Sequence, residues 1–323
     1  MKALITGVAG FAGSHLADYL VANTDWTIFG FDRPGVPRCH LQQCGDRVHC
    51  LEVDLLDATA VQDAYRQVQP DYVFHLAGQA SVAQSWAHPW QTFEANVHAQ
   101  MNLFDAAVKL GQPQRALAIG SADEYGSASL PGVPLSENAP LLPANPYGVS
   151  KVAQDLLAYQ YFRGYGLPVV RVRPFNHIGP RQNEGFVASS FARQIVEAEL
   201  GLREPSIQVG NLEARRDFCD VRDVVRAYFL ALTAGLPGEV YNIGSGRAIA
   251  IGELLRILLE MARCRVTVHT DPDLLRPSDA AEVLCDSRKL REQTGWVPEI
   301  SIERTLADLL AYWRDRLQSK STH

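Results

Sequence analysis

The chain has 323 residues, of which 47% are hydrophobic and 20% charged, and its formal net charge is −6 at pH 7. This composition excludes a disordered chain, and the length predicts a large core and about two domains. Without a basic surplus, nucleic acid is excluded as the main partner, and no apolar run has the length of a membrane span. Because a glycine-rich segment begins at Gly7, too early for a signal-peptide core, we expect a cytoplasmic protein.

The first strand and the turn after it predict a dinucleotide site. The apolar segment 2–6 runs into Gly7, Gly10 and Gly13, and a helical stretch follows at 14–21. Glycines at such a turn let backbone N–H groups approach a pyrophosphate, which the positive helix N-terminus also attracts. The spacing differs from the familiar G-x-G-x-x-G, so the turn alone does not decide. A second predicted strand, 26–31, ends at Asp32, about 20 residues after the glycines, where an acid would bond a ribose 2′-hydroxyl.

Three cysteines near the second strand raise the question of a metal site. Cys39, Cys44 and Cys50 lie close to His40 and His49, but their spacings do not match paired C-x-x-C ligands. Six cysteines in a chain of this length are also not a disulfide framework. We therefore expect free thiols and no bound metal.

Strand and helix patterns alternate through the first half of the chain. The predicted strands are 48–53, 72–76, 116–119 and 169–173, and the predicted helices are 59–68, 93–110 and 147–165. This alternation predicts an α/β fold with a doubly wound, Rossmann-like parallel sheet. An apolar stripe on the second of these helices is most simply explained by core packing, with a subunit interface as the alternative.

The pattern changes after Pro174, where polar and basic loops separate predicted helices at 186–200, 221–234 and 251–261. A strand-like segment at 240–243 predicts that the chain returns to the sheet. We therefore expect a dinucleotide-binding domain over 1–174, with a return segment at about 220–250. A smaller, discontinuous α/β domain would comprise 175–219 and 251–323.

Tyr147 and Lys151 are one helical turn apart, so the phenol and the ammonium lie on one face. A cation beside a tyrosine favours the phenolate and lowers its pKa from about 10 toward neutrality. Such a tyrosine can exchange a proton with a substrate oxygen while a hydride moves. Taken alone, the pair also arises by chance on protein surfaces.

The order of Gly7/Gly10/Gly13, Asp32, residues 75–78, Asn96, Ser121, Tyr147 and Lys151 resembles that of the extended short-chain dehydrogenases/reductases over essentially the whole chain. The resemblance implies that Ser121 polarises the substrate oxygen, that Tyr147 transfers the proton, and that Lys151 tunes Tyr147 while holding the nicotinamide ribose. It implies further cofactor contacts from Phe11, Ala12, Arg33, Asp54, Leu55, Leu76, Ala77, Gly78, Asn96 and His177.

Three later segments resemble the GDP-sugar branch of that family: 175–180 with 185–187, 210–218 and 275–279. The resemblance implies that Asn176, Arg216 and Arg276 hold the diphosphate and that Asp279 bonds the sugar or the nucleotide's ribose. The fork of an arginine suits this role because it pairs with two phosphate oxygens at once. Val187 and Arg193 are further candidates for substrate binding.

Two chemistries remain open within this branch. A 4,6-dehydratase acting on GDP-mannose must remove the C5 proton and expel the C6 hydroxyl, so it needs a carboxylate base and a donor for the leaving water. The chain offers only Ala122 and the shorter acid Asp123 as a possible base. A reductase of a GDP-4-keto-6-deoxy-hexose needs neither group, and its product would be a GDP-6-deoxy-hexose such as GDP-rhamnose. We favour the reductase, then the dehydratase, then a nucleotide-sugar 4-epimerase.

Cofactor choice and assembly complete the expectations. Asp32 would repel a 2′-phosphate and so favours NAD(H), whereas the neighbouring Arg33 could neutralise that phosphate and admit NADP(H). Members of the family commonly dimerise through a four-helix bundle. In this chain the resemblance implies a homodimer formed by the helices at 93–110 and 147–165.

Overall fold

The computed structural model describes residues 1–111, 113–274 and 280–321. Its strands are β1 (Lys2–Thr6), β2 (Thr27–Asp32), β3 (Val48–Glu52), β4 (Tyr72–His75), β5 (Arg115–Ile119), β6 (Val169–Pro174), β7 (Asn176–Ile178), β8 (Ser206–Val209), β9 (Arg215–Asp220), β10 (Val240–Ile243), β11 (Ala248–Ala250), β12 (Thr267–Thr270) and β13 (Glu282–Val283). Its α-helices are α1 (Phe11–Asn23), α2 (Ala58–Val68), α3 (Val82–Ala87), α4 (Pro89–Phe93), α5 (Ala99–Leu110), α6 (Pro146–Tyr165), α7 (Val187–Glu199), α8 (Val221–Ala234), α9 (Ile251–Glu260), α10 (Arg288–Thr294) and α11 (Ile302–Ser321).

A parallel sheet of seven described strands forms the centre of the protein, in the order β10-β6-β5-β4-β1-β2-β3. One core cluster packs helices α1 and α8 on one face, and a second packs α2, α5 and α6 on the other. The predicted doubly wound α/β fold is therefore confirmed, including the return of the chain through β10. The strand order reverses between β1 and β4, and ligands of such sheets bind in the crevice at that point.

Helix α6 begins where its sequence provides a cap. The Asn145 side chain accepts a hydrogen bond from the Gly148 N–H at 2.8 Å, and Pro146 occupies the first turn. The helix ends at Gly166, which has a left-handed φ of 70°. These signals place Tyr147 in the first turn and Lys151 one turn later, on the buried face.

The single helix predicted at 93–110 is wrong in detail. The structure has α4, then a π-helical turn over Glu94–His98, then α5. A π turn contains one residue more than an α-helical turn, so it rotates the side chains that follow it around the helix axis. The predicted apolar stripe is therefore not kept on one face. Phe104 is buried in the core, whereas Met101, on the same predicted stripe, is 40% exposed.

The strands β7, β8, β9, β11, β12 and β13 lie outside the central sheet, with β9 paired to β7, β11 and β13. Helices α7, α9 and α11 pack there around a third core cluster that includes Trp313. A single buried residue, Phe175, separates the last residue of β6 from β7, and its N–H donates to the Ile243 carbonyl at 2.8 Å. The domain boundaries given above stay a prediction.

Within the described part of the chain, no helix combines the length and the apolar character needed to cross a membrane.

Candidate functional site

A cleft of about 1090 Å³ lies at the carboxyl ends of the central strands and continues to β7, α7 and β9. Nearly all of the predicted cofactor residues line it: Gly7, Gly10, Phe11, Ala12, Gly13, Asp32, Arg33, Asp54, Leu55, Leu76, Ala77, Gly78, Tyr147, Lys151 and His177. Ser121, Asp123, Asn176, Val187 and Arg216 line the same cleft. The structure thus brings together residues that are far apart in sequence.

The glycine turn between β1 and α1 leaves room for a pyrophosphate. Gly7 has a φ of +72°, and a Cβ there would lie 3.0 Å from the Ala77 Cα. A Cβ on Gly13 would lie 2.1 Å from the Gly7 carbonyl oxygen, so only glycine permits this close turn. Gly10 is the N-cap of α1 and has no side chain to bond the first N–H groups of the helix. These N–H groups can therefore bind an anion. These features fit the phosphates of a dinucleotide.

Asp32 is the acid at the end of β2. Its Oδ2 accepts a hydrogen bond from the Ala9 N–H at 2.9 Å, which ties the carboxylate to the glycine turn. Burial raises the pKa of Asp32, and the Ala9 hydrogen bond and the charges of Arg38 and Arg33 oppose that rise. Arg33 is exposed at the rim of the cleft. The acid and the arginine therefore both line the cleft, and their contact with a ribose stays a prediction.

Ser121 and Asp123 are arranged by a short 3-10 turn over Ala122–Glu124. The Ser121 Oγ accepts from the Asp123 N–H at 3.1 Å and donates to the Asp123 Oδ2 at 3.2 Å. Glu124 closes a capping box, because its Oε1 accepts from the Ser121 N–H at 2.8 Å. The hydroxyl of Ser121 is also hydrogen-bonded with Tyr147.

The prediction that Lys151 lowers the pKa of Tyr147 is wrong for this structure. Burial, followed by the charge of Asp123, raises the pKa of Tyr147, and the hydrogen bond with Ser121 only partly opposes that rise. The Lys151 Nζ lies 5.8 Å from the centroid of the Tyr147 ring. It donates instead to the Ile119 carbonyl at 2.9 Å and to the Gln154 Oε1 at 2.8 Å. Burial lowers the pKa of Lys151 to about 8, against the opposing charge of Glu124.

Asn96 does not line the cleft, in contrast to the prediction of a cofactor contact. It is fully buried in the π-helical turn, where its Oδ1 accepts from the Gln79 N–H at 2.7 Å. Its Nδ2 donates to the Gln79 carbonyl at 3.1 Å and to the Ser150 Oγ at 2.9 Å. Asn96 therefore holds the backbone that follows Gly78, next to α6. π turns recur at functional sites because they redirect one side chain in this way.

A buried ion-pair network lies behind Ser121 and α6. The Arg173 Nε is 2.8 Å from the Glu124 Oε2, and the same guanidinium pairs with Asp155, which also pairs with Arg171 at 3.2 Å. Burial and the charge of Asp155 raise the pKa of Glu124, while Arg173 opposes the rise. A Cβ on Gly120 would lie 2.2 Å from the Glu124 Oε1, so the loop is fitted around this carboxylate. The network connects the Ser121 turn to the helix that carries Tyr147.

The residues predicted to bind the substrate differ in whether they line the cleft. The Arg216 Nη1 donates to the Ala280 carbonyl at 2.7 Å, which fixes the side chain at the cleft wall. Arg193 does not line the cleft, because its guanidinium pairs with Glu184 at 2.8 Å and with Glu197 at 2.7 Å. The prediction for Arg193 is therefore not supported. Arg276 and Asp279 lie outside the described residues.

Several neutral polar residues of the cleft were not predicted. They are Gln79, Ser81, Gln84, Gln182, Ser190, Gln208 and Asn211. Gln79 and Ser81 lie in the loop that follows β4, so their place after a parallel strand could have identified them. Asn211 lies within the segment 210–218 whose resemblance was noted, and the others lie on α3, α7, β8 and a loop without a recognisable motif.

The six cysteines are free thiols, and Cys44 donates to the Asp18 carboxylate at 3.1 Å. Over residues 1–111, 113–274 and 280–321, no group of three His, Cys, Asp or Glu residues is arranged to hold a metal ion.

Comparison with known proteins identifies the family of this chain. The model of the GDP-mannose 4,6-dehydratase family matches residues 4–309. The chain belongs to this family and is thus one of the extended short-chain dehydrogenases/reductases.

Among individual proteins, the chain is 35% identical to GDP-6-deoxy-D-mannose reductase of Pseudomonas aeruginosa, over 99% of each chain. It is 27% identical to GDP-mannose 4,6-dehydratase of Yersinia enterocolitica, over 96% of this chain and 93% of the relative. The structure of RMD from Pseudomonas aeruginosa complexed with NADPH superposes with a TM-score of 0.85 and 35% identity, covering 98% of this chain and 99% of the other. The full-length similarity therefore favours the reductase over the dehydratase.

Proposed function

We propose that the protein is a reductase that transfers a hydride from NAD(P)H to the C4 carbonyl of a GDP-4-keto-6-deoxy-hexose. The observation that carries this proposal is the composition of the turn after β5. This turn places the Ser121 hydroxyl beside the phenol of Tyr147 on α6. Ala122, at the adjoining position of the turn, offers no donor. Reduction of a carbonyl requires a donor for the nascent alkoxide and no further acid–base pair. The identity to a GDP-6-deoxy-D-mannose reductase supports the same choice.

The chain's own groups suit this reaction. The dinucleotide supplies the hydride when it is bound. Because the pKa of Tyr147 is raised, the phenol is protonated at neutral pH and can donate that proton to the C4 oxygen. Ser121, whose Oγ accepts from the Asp123 N–H, can turn its one hydroxyl proton from the Asp123 carboxylate to the same oxygen and steady the charge that develops there. The pKa of Lys151 is lowered to about 8, so its ammonium is still mostly charged at pH 7. It lies at the wall of the cleft, where this charge favours the developing phenolate.

The dehydratase alternative depends on Asp123. This carboxylate lines the cleft and accepts from the Ser121 hydroxyl at 3.2 Å and from the Asn145 Nδ2 at 3.1 Å. Elimination would still lack a donor for the leaving water at Ala122. None of the described residues of the cleft specifically favours the epimerase alternative.

On the nucleotide side, we propose that Asn176, Val187 and Arg216 contact the GDP portion of the substrate. All three line the cleft, and Arg216 brings a positive charge to it. The polar residues Ser190 and Gln208, which also line the cleft, can bond the guanine or its ribose. Arg276 and Asp279 remain predicted contacts.

For the cofactor, we propose that NADH is preferred and that NADPH is accepted. Asp32 is buried beside the glycine turn, where its charge repels a 2′-phosphate. Arg33 at the cleft rim can turn toward such a phosphate, and a relative has been solved with NADPH. The ratio of the two affinities is therefore set by two adjacent residues of opposite charge.

We also infer a homodimer built from helices α5 and α6. Apolar side chains on these two helices are exposed, among them Met101, Val149, Leu156 and Tyr159. Exposed apolar groups that share a face mark a surface for another protein, and two such helices from each copy would form a four-helix bundle.

The test of the proposed reaction uses purified protein with GDP-mannose and, separately, with GDP-4-keto-6-deoxymannose, adding NADH or NADPH to each. We expect only the keto sugar to oxidise the reduced cofactor, in equal molar amounts. Formation of a 4-keto product from GDP-mannose without net change in NADH would instead identify a dehydratase. Tyr147→Phe should bind dinucleotide and lose most turnover, whereas Tyr159→Phe on the same helix should keep it. Equal turnover of both variants would remove Tyr147 from the mechanism.

A further inference from the structure

Two glutamines lie behind Lys151, between helices α5 and α6. Gln100 is 0% exposed and Gln154 is 1% exposed. The Lys151 ammonium has three N–H donors, of which one goes to the Ile119 carbonyl at 2.9 Å and one to the Gln154 Oε1 at 2.8 Å. The third donor is thereby left for the cleft, which Lys151 lines.

The direction of every hydrogen bond in this group follows from the lysine. Because an ammonium only donates, the oxygen of the Gln154 amide must face it. The Gln154 Nε2 then donates to the Gln100 Oε1 at 3.0 Å. The Gln100 Nε2 in turn donates to the main-chain carbonyl of Gln154 at 2.8 Å. Reversing either amide would put two donors against each other in a buried place, at the cost of an unsatisfied group.

The glutamine holds the ammonium without adding a charge to its surroundings. The charged and titratable groups that face Lys151 are Glu124 from the 3-10 turn, His75 from β4 and Tyr147 from its own helix. The pKa of His75 is lowered by burial and by Lys151, so this ring is neutral, and Glu124 is paired with Arg173. A neutral acceptor at residue 154 therefore leaves the lysine's positive charge to act toward the cleft.

We propose that Gln154, fixed by Gln100, is a positioning residue that turns the third N–H of Lys151 toward the dinucleotide. The inference rests on the proposed function, in which Lys151 holds the nicotinamide ribose. It concerns binding of the dinucleotide, so it can be tested without the sugar.

The experiment measures the affinity for NADH and for NADPH by fluorescence titration over a range of pH. Gln154→Met removes the acceptor at similar volume. We expect it to weaken binding about tenfold at neutral pH, because a hydrogen bond to a buried charge is lost. We also expect its affinity to begin falling at a lower pH than in the unchanged protein. Gln154→Glu places a carboxylate beside the ammonium and stabilises it, so the fall should move to a higher pH.

Two further variants serve as controls. Gln160→Met is the same substitution at an exposed position of α6 and should leave the affinity and its pH dependence unchanged. Lys151→Met should weaken binding at all pH values. Thermal unfolding of each variant establishes that it is folded, and Gln154→Glu keeps the test open if Gln154→Met does not fold.

Opposite displacements of the pH dependence in the two Gln154 variants would support the inference, because loss of packing alone has no reason to change sign. Displacements in the same direction, or unchanged affinity in both, would overturn it. If Lys151→Met binds like the unchanged protein, the role of Lys151 in the proposed function fails together with the inference. If Lys151→Met is weakened and the Gln154 variants are not, the inference alone fails.

Discussion

Replacing Arg173 by methionine tests whether the buried network stabilises the fold through charge. The substitution removes the partner that Glu124 and Asp155 share, while the methionine fills most of the space. Arg173 is 4% exposed, Glu124 is fully buried, and the pair is 2.8 Å apart. Removing one member of a buried ion pair leaves an uncompensated charge and costs about 3–5 kcal/mol. We expect a loss of that size in the free energy of unfolding at about pH 9.5, above the raised pKa of Glu124.

The pH dependence of this loss has a definite sign. Without Arg173, the pKa of Glu124 in the folded state rises further above its value in the unfolded chain. A group with a raised folded pKa binds more protons when folded, so its contribution to stability is present at low pH and is lost as pH rises through the folded pKa. The loss caused by Arg173→Met should therefore shrink on acidification, by up to about 1.4 kcal/mol per pH unit while Glu124 takes up its proton.

Equilibrium urea unfolding of both proteins at about pH 8 and about pH 9.5 measures this difference. The window lies there because the pKa of Glu124 in the unchanged folded protein is about 8, and only above it do the two folded proteins differ in the protonation of this group. Arg66→Met is the matched control, because Arg66 pairs with Asp63 at 2.7 Å on the surface, and such exposed pairs contribute about 1 kcal/mol or less. A loss for Arg173→Met that is equal at both pH values, or no larger than that of the control, would refute the reasoning.

Three further outcomes are expected. Asp32→Asn keeps the hydrogen-bond acceptor but removes the charge, so the ratio of NADPH to NADH affinity should rise about tenfold or more, measured by fluorescence titration. Leu156→Arg should convert a dimer to a monomer in light scattering, whereas Leu202→Arg, similarly exposed but in the loop between α7 and β8, should not. Gly13→Ala drives a Cβ to 2.1 Å from the Gly7 carbonyl oxygen, so the rise in melting temperature on adding NADH should be lost, and retention of that rise would contradict the fit of the glycine turn.

The elements that position the cofactor could be predicted from sequence because their signals are local. Strand β1 was predicted with its observed bounds, and α6 differs by one residue at its start, since Asn145, Pro146 and Gly166 mark its ends. The cleft also contains the predicted serine, tyrosine and lysine. In each case a few neighbouring residues determine the conformation.

Features that depend on distant contacts could not be predicted. The π-helical turn at 94–98 places Asn96 against Gln79 and Ser150, and no local pattern indicates that pairing. The raised pKa of Tyr147 reflects burial by the whole fold, which outweighs a spacing of four residues. The short strands around β9 are paired across long stretches of sequence, so their local pattern is weak.

The direct passage from β6 to β7 bears on how new specificities could be engineered. Phe175, the one residue between the two strands, is hydrogen-bonded to Ile243 of the sheet. Strand β7, which carries Asn176, is therefore held in a fixed position relative to the central sheet. A loop exchanged from another sugar-nucleotide enzyme would have to start beyond Ile178. A graft that began earlier would break the anchor at Phe175 and move Asn176 and His177, which line the cleft, with respect to the central sheet.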